Sequence, residues 1–354
     1  MLSTLTGDIL AEEIRALDKE FVKLLLKRLE FSRAVDRHIL RGVNAEAYNF
    51  LRKSLVDAGL SENYASLFAG LYTAILSQGS GLRVAYLGPR GSFSEEAAIK
   101  VFRYANIEFL PQSSISAVFR VVEEGDADYG VVPIENSLEG SVGETIDMLA
   151  ESTLRICGDT ELRIRLNLIA KPGTKLEEVK LVISNPYALA QARKFIESRL
   201  KGVKVEVATS TSEAVKTAVS SSGIAAIGSE YAALLYGGEI LLHGIEDYKE
   251  NYTRFIIIGK TPIEVNEATM IKTAVLFTLK HEPGSLYRAL QPFAERKVNL
   301  TKIESRPIKG KPWEYMFFME FEGDMSNENI SQALNELSKR TESLKILGSY
   351  PKIT

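Results

Sequence analysis

Apolar residues change their spacing twice along this chain, and each change marks a different kind of structure. Across residues 8–35, Leu10, Ile14, Leu17, Phe21, Leu24, Arg28, Phe31 and Val35 succeed one another at steps of four and three. That spacing predicts one seam of a long helix packed on other helices. Positions 44–58 and 61–76 predict two further helices, and Gln78-Gly79-Ser80-Gly81 breaks the pattern as a linker. From residue 83, short apolar runs alternate with amphipathic stretches: 83–87, 129–134, 162–170, 181–184, 203–208, 224–228 and 255–259. This alternation predicts an α/β domain reaching residue 261, of a size that suits two lobes with a cleft between them. From residue 272 the order becomes strand 272–280, helix 285–296, strands 299–307 and 314–322, helix 327–340 and strand 344–350. That is the βαββαβ order of a ferredoxin-like module.

The expected architecture is multidomain, α and α/β: an all-helical domain over 1–80, a two-lobed α/β domain over 82–261, and a ferredoxin-like βαββαβ domain over 270–352. The segment from Thr261 to Thr269 bridges the last two. No internal repeat interrupts this order.

Composition removes several function classes. The 354 residues are 45% apolar and 25% charged, as in ordinary soluble domains. The formal charge of -3, without a Lys/Arg-rich run, gives no field for nucleic acid. No apolar run reaches the roughly 20 residues that span a bilayer, so no membrane partner is expected. Cys157 is the only cysteine, which excludes an intramolecular disulfide and suits a reducing compartment. Asp8, Glu12, Glu13 and Asp18 interrupt any apolar leader, so the cytoplasm is the expected location. With three His and one Cys, metal, Cys-protease and His-relay chemistry are disfavoured, and His38, His243 and His281 read as structural or solvent-facing. Neither a metal nor a cofactor is expected.

Two polar clusters stand at the ends of apolar runs. Pro133-Ile134-Glu135-Asn136-Ser137 follows Tyr129-Gly130-Val131-Val132, and Asn251-Tyr252-Thr253-Arg254-Phe255 precedes Ile256-Ile257-Ile258-Gly259. Loops at strand ends present side chains from a rigid sheet, and Asn, Ser, Thr and Arg there form a site for oxyanions. Thr253 reads either as a donor into such a site or as a β-branched residue starting a strand. Arg254 reads as a bidentate carboxylate binder or as the partner of an acidic neighbour. Glu135 orients its neighbours or is purely structural. Gly88 to Ser94 leads into a helix at 95–103, where backbone N–H groups and two serine hydroxyls form an anion site, although many N-caps look the same. In the first helix, Arg28 places a charge on an apolar seam. It is either snorkelled or carboxylate-paired, or it binds a buried anion.

Four segments, Leu87-Gly88-Pro89-Arg90-Gly91-Ser92-Phe93-Ser94, Val132 to Ser137 with Gly140, Val142, Thr145 and Asp147, Ser184-Asn185-Pro186-Tyr187-Ala188-Leu189-Ala190-Gln191, and Asn251 to Phe255, stand in this order. Together they resemble the prephenate dehydratase family, in the form fused to a chorismate mutase domain. The C-terminal module resembles that family's ACT domain through Pro283-Gly284-Ser285-Leu286-Tyr287 and Glu304-Ser305-Arg306-Pro307. The N-terminal segment resembles the all-helical chorismate mutase domain through Ile14-Arg15-Ala16-Leu17-Asp18 and Arg28. Ala11 and Ile39 stand where relatives carry Arg and Lys, the second helix lacks an Asp-x-x-Arg-Glu pattern, and Arg37, Arg41, Glu46 and Arg52 are the candidate substitutes.

The resemblance implies a lyase of phenylalanine biosynthesis that converts prephenate to phenylpyruvate, CO2 and water, with chorismate as a further substrate if the mutase domain is active. It implies catalytic roles for Thr253, Asn136, Glu135 and Gln191. Substrate binding is implied for Ser92, Ser94, Ser137, Ser184, Arg254 and Phe255. Arg28 and Arg37 become mutase candidates. Gly284, Ser285, Leu286, Glu304, Ser305, Arg306 and Pro307 would bind phenylalanine between two ACT domains, which requires at least a homodimer. Asn185 and Tyr187 depart from the family's usual His and Gln. An arogenate dehydratase shares these motifs, and a non-catalytic two-lobed ligand sensor with an ACT domain is the alternative from another class.

Overall fold

The computed structural model describes residues 7–34, 37–76, 82–102, 107–263, 270–308, 310–311 and 313–353. The expected linker at 78–81 and positions 264–269 of the expected bridge lie outside these residues. By Cα proximity the chain divides into a helical unit (1–82, with 102–108) and a larger unit (83–101 and 109–354).

The helical unit holds α1 (Gly7–Ala34), α2 (Arg37–Asp57) and α3 (Glu62–Leu76). The second helix begins at Arg37 rather than at 44. Helices α2 and α3 lie against each other, with Ala65 and Ala69 fully buried. The α1 seam stays open: Ile14, Leu17, Phe21, Leu24 and Phe31 are 50% to 62% exposed. Arg28 Nη2 donates to the buried Asn44 Oδ1 at 2.8 Å. The Arg37 side chain lies outside the described residues.

The larger unit opens with β1 (Leu82–Leu87), α4 (Phe93–Phe102), β2 (Ile107–Gln112), α5 (Ile115–Glu124), β3 (Tyr129–Asn136), β4 (Gly140–Ser141), α6 (Gly143–Glu151) and β5 (Arg155–Arg163). The chain then leaves to build a second lobe from β6 (Asn167–Ala170), β7 (Leu181–Ser184), α7 (Pro186–Gln191), α8 (Arg193–Arg199), β8 (Lys204–Val207), α9 (Thr211–Ser220), β9 (Ile224–Gly228), α10 (Glu230–Tyr236) and β10 (Glu239–Leu242). It returns through β11 (Tyr252–Gly259), which inserts antiparallel between β3 and β5, giving the order β2-β1-β3-β11-β5. Ile256, Ile257 and Ile258 are fully buried, which is why this continuous apolar run takes the interior place. The second sheet runs β10-β6-β9-β7-β8.

The single strand expected over 162–170 is two strands in different sheets. Ile164 to Leu166 cross between the lobes, with Ile164 N bonded to Asn251 O at 2.8 Å and Leu166 N to Glu246 Oε2 at 2.9 Å. Apolar periodicity cannot mark such a crossing, because the connecting residues are buried too.

The C-terminal module consists of β12 (Ile271–Thr278), α11 (Ser285–Glu295), β13 (Leu300–Pro307), β14 (Tyr315–Glu322), α12 (Glu328–Arg340) and β15 (Ser343–Pro351), ordered β13-β14-β12-β15. Both helices cover one sheet face around Phe277, Phe293 and Phe321. The other face carries Ala274, Leu276, Phe318, Leu347 and Tyr350, which share one continuous core with Ile134, Ile156, Ile256 and Ile258 of the first lobe. The module therefore packs on the back of the sheet whose front carries β3 and β11 strand ends. Among the described residues, no helix is long and apolar enough to cross a membrane.

Candidate active site

The two lobes enclose a cleft of about 840 Å3. Helix starts dominate its polar wall. At the beginning of α4, Ser92 Oγ accepts from Glu95 N at 3.2 Å and donates to Leu87 O at 3.0 Å, while Glu95 Oε2 accepts from Gly91 N at 2.5 Å. At α5, Ser114 caps Ala117 N beside the cleft-lining Ser113. At α9, Ser210 caps Glu213 N at 3.0 Å, and Thr209, Ser210 and Thr211 all line the cleft. Each start presents unsatisfied backbone N–H groups and the positive end of a helix dipole. Among the described residues, no Lys or Arg lines the cleft. The positive groups on its wall are these helix starts.

Thr253 and Asn136 meet on the cleft wall, opposite each other in β11 and β3. Asn136 Oδ1 accepts from Leu138 N at 2.9 Å and Glu139 N at 3.1 Å, which fixes the amide with its NH2 toward Thr253. That NH2 donates to Thr253 Oγ1 at 2.9 Å and to Asn251 Oδ1 at 2.8 Å. With a lone pair engaged by Asn136, the threonine retains its own O–H as a donor for a group in the cleft. Fully buried Asn251 continues the chain by donating to Gln191 Oε1 at 3.0 Å, and Gln191 Nε2 donates to Glu139 Oε1 at 2.9 Å. Gln191 belongs to the second lobe, so this network also links the lobes. Phe255, Phe93, Ile164 and Leu166 form the apolar part of the wall.

Of the expected substrate residues, Ser92, Ser94 and Phe255 line the cleft with Thr253, Asn136 and Gln191. Arg254, Glu135, Ser137 and Ser184 do not. Strand alternation sends Arg254 to the face opposite its neighbours Thr253 and Phe255. There its guanidinium contacts Glu320 at 2.5 Å, Glu135 at 3.3 Å and Asp159 at 3.4 Å, which matches the ion-pair alternative and not the carboxylate-binding one. Glu135 is held behind the sheet by Arg254 and by Lys302 Nζ at 2.8 Å. Ser184 Oγ donates to Ile227 O at 2.6 Å, and Ser137 Oγ accepts from Tyr252 N at 2.9 Å, so both brace backbone. Glu139 and the Thr209-Ser210-Thr211 start of α9 lie outside the motifs, and Asn251, which opens the fourth motif, had been given no role of its own. The α9 start was legible: Ser210 with Glu213 three positions on is a helix-start signature. Cys157 is buried, which pushes its thiol up to about 12, so it supplies no nucleophile.

The family profile of prephenate dehydratase matches residues 84–263, and that of the ACT domain matches 273–339. The chain belongs to the prephenate dehydratase family. It is 37% identical over 364 residues to the bifunctional chorismate mutase/prephenate dehydratase of Aquifex aeolicus (strain VF5), covering 97% of each chain. It is 38% identical over 289 residues to arogenate dehydratase/prephenate dehydratase 2, chloroplastic, of Arabidopsis thaliana, covering 79% of this chain and 75% of that one. Among solved structures, prephenate dehydratase from Arthrobacter aurescens in complex with L-Phe superposes with a TM-score of 0.70 at 31% identity, covering 77% of this chain and 90% of that one. The chain is thus a prephenate dehydratase carrying an ACT regulatory domain.

Within the ACT domain the expected effector residues fall into two groups. Gly284 stands before α11 at φ +80°, a backbone state that favours glycine, and Ser285 and Leu286 line a hollow of about 440 Å3 with Trp313, Tyr315 and Phe317. Along β13, Ser305 and Pro307 face outward, while Glu304 contacts Ser141 and Arg306 pairs with Asp147 at 3.2 Å. Two of the four signature residues thus contact the first lobe.

Proposed function

We propose that the cleft converts prephenate to phenylpyruvate, with Thr253 donating to the departing hydroxyl. The 2.9 Å contact that orients Thr253 through Asn136 carries this reading. When the ring carboxylate of prephenate leaves as CO2, the electron pair of the broken C–C bond enters the ring and expels hydroxide at the para position. Aromaticity supplies the driving force, and the barrier lies in losing hydroxide. Threonine is too weak an acid to transfer a proton outright. It stabilises the departing oxygen by a short hydrogen bond, and solvent protonates the hydroxide. The starts of α4, α5 and α9 hold the substrate carboxylates, and Phe93, Ile164, Leu166 and Phe255 take the ring. Glu135, Arg254, Ser137 and Ser184 support this arrangement from outside the cleft.

A second reading takes arogenate as substrate, whose ammonium replaces the keto group. The carboxylates of Glu139 and Glu213 on the cleft wall favour it, as does the name of the Arabidopsis relative, an arogenate dehydratase/prephenate dehydratase. Purified protein incubated in parallel with prephenate, arogenate and chorismate tests all readings: phenylpyruvate from prephenate is expected, and its absence overturns the first. Phenylpyruvate from chorismate would place mutase activity in the helical unit, where Arg28 is the candidate, a reading supported by relatives that are bifunctional over their whole length. Phenylalanine is the proposed effector of the ACT domain. The exposed α1 seam supports association of at least two copies in a cytoplasmic enzyme, and sedimentation of a monomer at micromolar concentration would overturn that.

A further inference from the structure

Besides the Gln191 network, the lobes meet at a second place, where the second lobe closes on the backbone of residues 90–91. Arg90 O accepts from two hydroxyls of that lobe, Tyr236 Oη at 2.9 Å and Ser212 Oγ. Tyr236 ends α10, and Ser212 lies fully buried in the first turn of α9. Contact continues at Gly91, which holds φ +80° and would bring a Cβ to 2.6 Å from Ser212 Oγ and 3.1 Å from the Tyr236 ring. Glycine is what lets the lobes approach this closely. Both sides of the contact run directly into the cleft wall. Arg90 stands between Pro89 and Ser92, which line the cleft from the first lobe, and Ser212 stands between Thr211 and Glu213, which line it from the second. The contact also works against a repulsion. Burial and then the Glu230 carboxylate of α10 hold the Glu96 carboxyl of α4 above its ordinary value, so like charges from the two lobes oppose their approach.

We propose that Ser212 and Tyr236 are positioning residues for dehydration: by gripping Arg90 O they fix the distance between the α4 and α9 sides of the cleft, across which the substrate is held. The grip serves binding rather than chemistry, because neither residue lines the cleft. Without it the lobes part more often, and some of the substrate's binding energy goes into bringing them together. Apparent affinity then falls with the fraction of molecules held at the right width. Saturating substrate restores that width, so the maximal rate survives. The inference rests on the cleft being the prephenate site.

The test uses the full chain without phenylalanine. Tyr236→Phe and Ser212→Ala each remove one donor, and the double variant removes both while leaving the carbon skeleton in place. Turnover of prephenate, melting temperature and amide hydrogen exchange are measured for each. One hydrogen bond of ordinary net strength is worth a factor of about five, so the double variant should raise KM about tenfold and keep kcat within about twofold of the parent. Each single variant should raise KM less. Peptides spanning 86–94 and 209–215 should exchange faster in the double variant without substrate. Parental KM in the double variant, or a fall in kcat at unchanged KM, would overturn the proposal whatever the melting temperature does. If the double variant does not fold, Tyr236→Phe decides by the same split: a rise in KM of about threefold supports the grip, and parental KM removes it. Failure of the underlying reading looks different. If the parent forms no phenylpyruvate from prephenate, the cleft has another substrate and hydrogen exchange alone decides the grip, with faster exchange in the double variant supporting it and parental exchange overturning it.

Discussion

The two faces of β3 and β11 differ sharply in chemistry although they share the same eight-residue strands. The cleft face offers Thr253 and Asn136, both neutral, under helix starts that place no full positive charge on the cleft wall. The face toward the ACT domain holds Arg254, Glu135, Asp159, Glu320, Lys272 and Lys302 in mutual contact. A dianionic substrate would bring its own charge to the cleft, and partial charges on fixed amides would bind it there without a flexible cation to order. Behind the sheet the opposite holds. Buried ion pairs add little net stability after desolvation, but they enforce one geometry, because a removed partner leaves a charge stranded. Neutral groups face the cleft, and charges face the domain behind it.

The largest expected effect breaks this comparison on the cleft face. Thr253→Ala should lower kcat on the order of 10²-fold or more, with melting temperature and prephenate affinity nearly unchanged. Turnover within tenfold of the parent would make the threonine a mere strand residue.

On the charged face the largest effect is on acid stability. Burial raises the Glu320 carboxyl, but Arg254 and Lys272, with hydrogen bonds from Thr301 and Tyr350, outweigh it and hold the pKa down at about 2. A carboxylate held below its ordinary value of 4.5 contributes stability that is complete above pH 4.5 and lost as pH falls toward 2. Asp159 works in the opposite sense. Its pKa is raised by burial against Lys272 and Arg254, so its contribution improves as pH falls through that raised value. Glu320→Gln should therefore be less stable than the parent at neutral pH and converge on it between pH 4.5 and 2 in denaturant titrations. Parallel curves across that window would show that Glu320 is not the group being protonated.

A smaller effect concerns the effector end of the same domain. A side chain at Gly284 meets a left-handed backbone at φ +80° and places its Cβ 3.1 Å from Arg288 Nη1. Gly284→Val should weaken phenylalanine binding about tenfold by calorimetry, the cost of roughly 1–2 kcal/mol of strain in a loop that must approach the ligand. Unchanged binding would detach this loop from regulation.

Much of this was legible in the sequence, and the failures have separate physical causes. The βαββαβ order was readable because β12 and β14 carry apolar runs, β13 alternates from residue to residue, and the two helices between them are amphipathic. The strands β2 and β10 were not, since Ile107–Gln112 and Glu239–Leu242 are only half-buried edge strands with weak apolar signal. The motifs grouped Thr253, Asn136 and Gln191, which line the cleft, with Arg254, which does not. Adjacent letters in a motif alternate across a strand, and which face meets the ligand depends on a domain that lies elsewhere in the sequence. Glu320 and Lys302 belong to no dehydratase motif, so the partners that claim Arg254 and Glu135 could be found only in three dimensions. The α1 seam failed differently: its periodicity was right, but among the described residues Leu17, Phe21 and Leu24 are all at least half exposed.

The smallest expected effect sharpens the cleft side of the comparison. If the cleft works through partial charges alone, the carboxylate of Glu213 on its wall opposes an anionic substrate. Glu213→Gln should then lower KM for prephenate by about threefold, the size of a screened charge at several ångströms, and the gain should shrink as salt rises. The residue lies in the first turn of α9, where an acid is favoured by the helix dipole, so the same change should cost roughly 0.5 kcal/mol of stability. Arogenate distinguishes repulsion from a general loosening of the site. Its ammonium is attracted by the carboxylate that repels prephenate, so Glu213→Gln should raise KM for arogenate while lowering it for prephenate. Equal shifts for the two substrates would mean that Glu213 shapes the wall without acting through charge.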